Sequence, residues 1–455
     1  MLERLEYKGP FWAPDDDENL MSGFLVIDKG KVTLDVLGDF GRKLIAASAR
    51  QSSYSLDLEQ KPRILGISAD GRDITLDEVW EKSSATHFPG MATAEYRARA
   101  AIIGKHFSES EEIVFDEIAV SASDLEPWTR VSSFKTSIEC EALDDKGHHA
   151  FVGAHVDFEA PEPIVIELGS GEKAELRFGC RGVGLLRPRD RIELQQETAL
   201  HWRFARPGDL ASVFEKVGQI RDLLSLAVGR AVSITKVVGF RDSEKVGSSE
   251  TLRPIELYWE IPHNPEPPSE AREPAEMLFS LTDIPDVSNV FKRWTARRKR
   301  LEPVFNLYFG TLYHPDLPLE VRFLSLAQAL ETYDYRRRRN PGRFSLAERA
   351  HDVLAQCRRV SGRIAGSDTD AFVKVFKDSR NYYTHYNPKW ESRAASGLGL
   401  YLLTLQLQYL LEMSFLRQLG FSCVDVEKTL ERAGRFRRID HLRSQVADEQ
   451  RTASS

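Results

Sequence analysis

Cysteine is scarce: Cys140, Cys180, Cys357 and Cys423 are the only four in 455 residues. They are too few and too scattered to form a disulfide framework, so the expected compartment is reducing. No C-x-x-C pair or compact Cys/His cluster marks a structural zinc. The adjacent His148 and His149 lack ligand partners at helical spacing, so no metal site and no cofactor are expected. The opening MLERLEYKGPFW has acids and no apolar core, which argues against a signal peptide and for a cytoplasmic protein. Familiar catalytic motifs are missing too. Gly182-Val183-Gly184 lacks a third glycine at dinucleotide-fold spacing, and His106 follows Gly104-Lys105 where a P-loop needs Ser or Thr. No G-x-S-x-G, H-E-x-x-H or EF-hand pattern occurs.

Long apolar runs are nearly absent. Ala394 to Leu411 spans 18 residues without a formal charge, which raises a membrane span. Thr404, Gln406 and Gln408 interrupt it, and Arg393 and Glu412 bracket it. A buried helix inside a bundle is the better reading, and no membrane partner is expected.

What is present is an ordinary globular composition, 42% apolar and 29% charged, long enough for two or three domains. The net charge of −7 conceals an asymmetry: residues 1–290 carry 33 Lys+Arg against 51 Asp+Glu, whereas 291–455 carry 29 against 18. A polyanionic partner would therefore meet only the second part. Arginine dominates there, in Arg297, Arg298 and Arg300, in Arg336, Arg337, Arg338 and Arg339, and in Arg435, Arg437 and Arg438. Its planar fork suits phosphate, so Arg336 to Arg339 are candidate RNA contacts. Solvated helix faces are the alternative.

Period-2 patterning marks the first part as strands. Phe24 and Val26, a Lys29-Gly30 turn, then Val32, Leu34 and Val36 read as a hairpin. Further strands are expected around 64–67, 101–107, 113–120, 164–168, 174–178 and 192–204, and a helix over 210–228. The Pro-rich stretch 261–276 reads as a linker or exposed loop. Beyond it the period is helical, with helices expected near 286–309, 318–335, 344–364, 368–386, 394–419 and 423–434. The expected fold is α+β: a β-rich, sandwich- or barrel-like domain over 1–285 followed by an all-α bundle over 286–455.

One segment carries chemistry. Asp378-Ser379-Arg380-Asn381-Tyr382-Tyr383-Thr384-His385-Tyr386 ends an amphipathic stretch just before Asn387-Pro388, which should stop the helix. Arg380 is a permanent cation, and His385 can exchange protons near neutrality. Five helical positions separate them by about 140°, whereas Asn381 and His385 share a face. Arg-x4-His alone also fits a structural pair, the arginine bound to an acid and the histidine to a carbonyl.

This segment resembles the R-x(4–6)-H signature of HEPN (higher eukaryotes and prokaryotes nucleotide-binding) domains, all-α bundles that include metal-independent ribonucleases. Gly9-Pro10-Phe11-Trp12, Gly23 with its hairpin, and Leu125-Glu126-Pro127-Trp128 resemble the N-terminal β domain of ApeA-type anti-phage proteins. Ala327-Gln328-Ala329-Leu330-Glu331 and Glu412 to Gly420 resemble the HEPN domain those proteins carry. The resemblance implies a bacterial abortive-infection endoribonuclease with Arg380, His385 and Asn381 as catalytic residues. It also implies an RNA substrate such as tRNA, a phage-derived trigger, and a homodimer through the HEPN bundle with higher assemblies open. Glu331 would orient His385 or Arg380, or serve as a plain arginine partner. Tyr382, Tyr383 and Tyr386 would stack on unpaired bases or pack in the core or dimer contact. Two readings from other classes remain: a non-catalytic RNA- or phage-component-binding sensor that dimerises through the bundle, and a nucleotidyltransferase using the same cleft.

Overall fold

The structure is a computed structural model, and it describes residues 3–454 apart from 15, 41, 49–50, 57–60, 87–89, 143–148, 170, 184–192, 339–341 and 343. Arg339, Gly184 and His148 lie outside the described residues.

The chain turns at Lys29-Gly30, where φ is +51° and +80°, a left-handed pair that matches the twist of the strands it joins. The turn links β2 (Asp16–Asp28) to β3 (Lys31–Leu37), with Asp28 opposite Lys31. Together with β1 (Leu5–Ala13), β6 (Lys61–Ile67), β7 (Asp73–Thr86) and β8 (Ala92–Ile103) they close a six-stranded antiparallel barrel in the order β8-β3-β2-β1-β6-β7, with β7 returning to β8. A short hairpin, β4 (Arg42–Ser48) and β5 (Gln51–Leu56), forms its own two-stranded sheet. Phe11, Leu25, Leu34, Ile64 and Leu76 are fully buried. The quoted Gly-Pro-Phe-Trp segment has a packing role: a Cβ on Gly23 would stand 2.5 Å from the Phe11 ring, and Gly66 is covered by the same ring.

The far half of β8 leaves β3 and pairs with β16 (Ile255–Trp259), which extends the sheet through β15 (Ile234–Phe240), β9 (Val114–Ala122), β14 (Glu193–Asp209), β13 (Glu172–Val183) and β12 (Ile164–Gly169). The short α1 (Leu125–Thr129) buries Leu125 and Trp128. A separate hairpin, β10 (Phe134–Ala142) and β11 (His149–Phe158), leaves Ile138, Phe151 and Val156 largely exposed. The helix α2 (Leu210–Val228) occupies the expected span. Asp209 caps it by accepting from the Ser212 N–H at 2.9 Å, and Gly229 ends it at φ +75°.

The proline-rich stretch is irregular, as its composition suggests, yet it is strapped down. Asn264 brackets Ile234 through both backbone groups, Ser233 donates to the Pro265 carbonyl at 2.6 Å, and Arg221 donates to the carbonyls of Pro262 and His263.

Among the described residues nine helices follow: α3 (Val287–Tyr313), α4 (Leu319–Arg337), α5 (Leu346–Leu354), α6 (Arg358–Ala365), α7 (Thr369–His385), α8 (Pro388–Glu391), α9 (Gly397–Leu419), α10 (Cys423–Arg432) and α11 (Arg435–Ser454). α9 is the axis, buried on nearly every side. Three of its polar side chains bond internally: Gln406 donates to the Ile364 carbonyl, Thr404 to the Leu400 carbonyl, and Glu412 accepts from Tyr308, Gln408 and Arg435. No described helix is long and apolar enough to cross a membrane. The two parts share one continuous hydrophobic core, and Trp294 of α3 donates to the Gln219 carbonyl of α2 at 3.0 Å.

Three expectations change. The helix expected over 344–364 is split into α5 and α6 by a short 3₁₀ turn at 355–357. The terminal α11 is additional; among its described side chains Phe436, Ile439 and Leu442 make the apolar buried stripe, too sparse a signal among charged neighbours. Cys357 and Cys423 form a disulfide, with Cα atoms 5.6 Å apart and a sequence separation of 66. The scattered spacing concealed it, because folding alone brings the turn before α6 to the start of α10.

Candidate active site

The α7 helix starts where Asp368 accepts from the Ala371 N–H at 2.9 Å. Phe372, Val373, Phe376, Ser379 and Tyr383 form its inner stripe. Phe323 of α4 meets Phe376 and Tyr383 edge-on, with ring centroids 6.4 and 5.9 Å apart. Tyr383 donates to the Ala395 carbonyl at 2.9 Å, and Ser379 accepts from the Ala395 N–H at the same distance, which pins the loop before α9. The helix ends as expected. Tyr386 turns left-handed at φ +46°, and Asn387-Pro388 opens α8.

This scaffold leaves Arg380 on a concave depression of about 540 Å³ between α4, α5 and α7. Its Nη2 lies 3.4 Å from Glu331 Oε2, and both side chains are about one-third exposed, at 34% and 35%. Thr384, one turn on, donates to the Arg380 carbonyl at 2.7 Å and lines the same depression. Gln328 and Tyr335 line it from α4 and Arg349 from α5. The buried Arg349 has its guanidinium 5.5 Å from the Tyr335 ring centroid and 3.7 Å from Asp334.

The structure thus brings Arg380 and Glu331 together. The half-buried Asn381 and the exposed His385, the last residue of α7, both fall outside the lining of the depression. Helical geometry sets His385 about 140° round from Arg380. Tyr382 and Tyr386 stack edge-on at 5.5 Å; Tyr386 is 61% exposed, and Tyr382 donates to Glu391 at 3.4 Å. Burial pushes the Tyr383 phenol up from its ordinary pKa, with the Glu320 carboxylate adding to the effect.

The Arg336 to Arg339 candidates divide. Arg336 is exposed, whereas Arg337 and Arg338 bind the fully buried Asp334 at 3.0 and 2.7 Å, and Arg338 also reaches Asp352. Other clustered arginines have internal partners as well: Arg298 with Asp222 at 2.5 Å, Arg300 with the last carbonyls of α4, and Arg435 with Glu412. The motif reading missed Gln328, Tyr335, Arg349 and Thr384. Three of them carried a signal, since Leu324, Gln328, Glu331 and Tyr335 form one helical stripe and Thr384 stands at i+4 from Arg380.

Comparison with known families gives two matches. Residues 6–294 match the ApeA N-terminal domain 1, and residues 324–425 match the Apea-like HEPN domain. No curated protein and no solved structure matches the chain.

Proposed function

Because the chain belongs to the ApeA family, with an ApeA N-terminal domain followed by an Apea-like HEPN domain, we propose that it is an anti-phage defence endoribonuclease acting through Arg380 and His385. The observation that carries this reading is Arg380 itself, a partly exposed guanidinium held over a concave surface by Glu331, with the His385 imidazole at the exposed end of the same helix.

RNA brings its own nucleophile. A ribose 2′-OH adjoins the scissile phosphate, so attack needs a base, an acid and charge neutralisation, with no metal-bound water. His385 moves the proton, a role typically worth 10²–10⁴-fold. Arg380 meets the charge that develops on the phosphoryl oxygens, and Asn381 orients phosphate or imidazole. The products are a 2′,3′-cyclic phosphate and a 5′-OH. One imidazole per chain does not readily supply both base and acid, so two bundles pair about a twofold axis and share one cleft. Val321, Tyr335, Val375 and Tyr386, all exposed on α4, α7 or the α7 cap, supply apolar surface for that pairing. Structured RNA such as tRNA is the substrate class, and the acidic β domain receives the phage-derived trigger.

The test is cleavage of total tRNA by full-length protein with EDTA, with and without phage extract. Arg380→Ala and His385→Ala proteins should fold and dimerise like wild type and lose cleavage by at least about 10². Full cleavage by both variants would overturn the assignment. Wild type that binds RNA and never cuts it, even with extract, would reduce the bundle to a dimerising sensor.

A further inference from the structure

The β domain and α3 enclose a second cleft, of about 670 Å³, remote from the motif of α7. That volume is in the range of small-ligand sites. One wall is aromatic: the Phe214 and Trp259 rings lie 4.6 Å apart, and Trp80 stands 41% exposed beside them. The charge is unlike its surroundings. Lys31, Arg97, Arg99, Arg221 and Arg298 line the cleft with the acids Asp222 and Glu260, and of these cations Arg99 pairs outward with Glu78 at 2.5 Å, within a β domain where acids far outnumber bases.

Several of these cations are incompletely matched. Arg221 is 5% exposed, stacks 3.9 Å over the Tyr313 ring, and donates only to the neutral carbonyls of Pro262 and His263. The neighbouring carboxylate, Asp222, is taken by Arg298 and by the Tyr313 hydroxyl, each at 2.5 Å. Arg97 Nε is buried with no hydrogen-bond partner, and Arg97 has no ion pair among the described residues. A cleft with surplus guanidinium charge deep inside and the exposed Trp80 ring at its wall selects an anion joined to a flat ring.

The geometry points to a binding site for a free nucleotide at the junction of the β domain and α3. The phosphates meet Arg97, Lys31 and Arg221, the base lies against Trp80 and Trp259, and the exposed Asn306 and Glu260 offer groups for its edge. The site is independent of Arg380 and His385 and does not rest on the nuclease reading.

The experiment is calorimetric titration of the full chain with the ribonucleoside mono-, di- and triphosphates, inorganic phosphate and a short single-stranded RNA. At least one nucleotide should bind with one site per chain, and more tightly than inorganic phosphate. Arg97→Ala and Lys31→Glu should each weaken it at least 10-fold, and Trp80→Ala should weaken the nucleotide while sparing phosphate. Arg380→Ala should leave it unchanged; circular dichroism checks that each variant is folded. The proposal is overturned if no nucleotide binds at millimolar concentration, if phosphate binds as tightly as any nucleotide, or if only the RNA binds. It is equally overturned if binding survives Arg97→Ala with Lys31→Glu but is lost with Arg380→Ala.

Discussion

Replacing Arg435 by methionine should be among the most damaging single changes in the helical part. Arg435 opens α11 and is 6% exposed, and its Nε lies 3.1 Å from the Oε2 of Glu412, which is wholly buried in α9. Glu412 Oε1 accepts from Tyr308 at 3.2 Å and from Gln408 at 2.9 Å. Methionine keeps the apolar stem that packs near the Tyr409 ring, 5.2 Å from the guanidinium, and removes the cation bonded to that carboxylate. Removing one partner of a buried pair costs about 3–5 kcal/mol, because the other charge is stranded. Glu412→Gln strands the guanidinium instead and should cost a similar amount. The double variant strands neither, so it should be more stable than additivity predicts by about 2–3 kcal/mol. Urea unfolding followed by far-UV circular dichroism measures this. With a slope near 3 kcal/mol/M, the single change should lower the midpoint by about 1–1.7 M. Additivity within about 0.5 kcal/mol would refute the reasoning, since it would mean that water already screens the pair.

Two further predictions separate positioning from packing and test a buried charge. Glu331→Gln should change stability by less than about 1 kcal/mol, because its bond to Arg380 is partly solvated. The looser guanidinium should lower kcat for RNA cleavage by up to about 5-fold with KM unchanged, and an unchanged kcat would remove Glu331 from a positioning role. Burial lowers the pKa of Lys216, whose ammonium sits 3.9 Å over the Trp202 ring, although Glu172 at 3.7 Å opposes the shift. Between that lowered value and the ordinary lysine value near 10.4 the unfolded chain holds more protons, so stability rises with pH through this window. Lys216→Met should therefore be the more stable protein near neutral pH, with the gap narrowing as pH climbs; a gap constant with pH would refute this.

The elements legible in the sequence are those whose signal is local. Lys29-Gly30 announces its hairpin, Asp209 and Gly229 frame α2, and Asn387-Pro388 ends α7 where the pattern says. What stayed hidden is non-local. β8 pairs with β3, β7 and β16 at once, and the alternation of its own residues does not show that it both closes a barrel and leads out of it. The Cys357–Cys423 bridge and the tethering of the proline-rich strap arise in the same way, from groups far apart in the chain. At the site, Arg380 and Glu331 were both singled out, but their pairing needs α4 against α7, and Arg349 enters only through α5.

The arginine surplus is where sequence and structure differ most in meaning. Read as charge, 29 basic residues against 18 acids suggest a broad surface for a polyanion. Read as geometry, much of that charge is already engaged: Asp334 gathers Arg337, Arg338 and Arg349, Glu412 holds Arg435, and the exposed Arg300 closes the carbonyl end of α4. Arginine suits these tasks because its fork spans several acceptors and stays charged when buried. An arginine so engaged gives up little to a phosphate, since moving it would strand a buried acid. Arg380 differs from these because its acid, Glu331, is itself a third exposed and the bond between them is long. A guanidinium held that loosely over a concave surface can exchange a carboxylate for a phosphoryl oxygen at small cost, so the proposed RNA contact rests on this one depression rather than on the whole basic face.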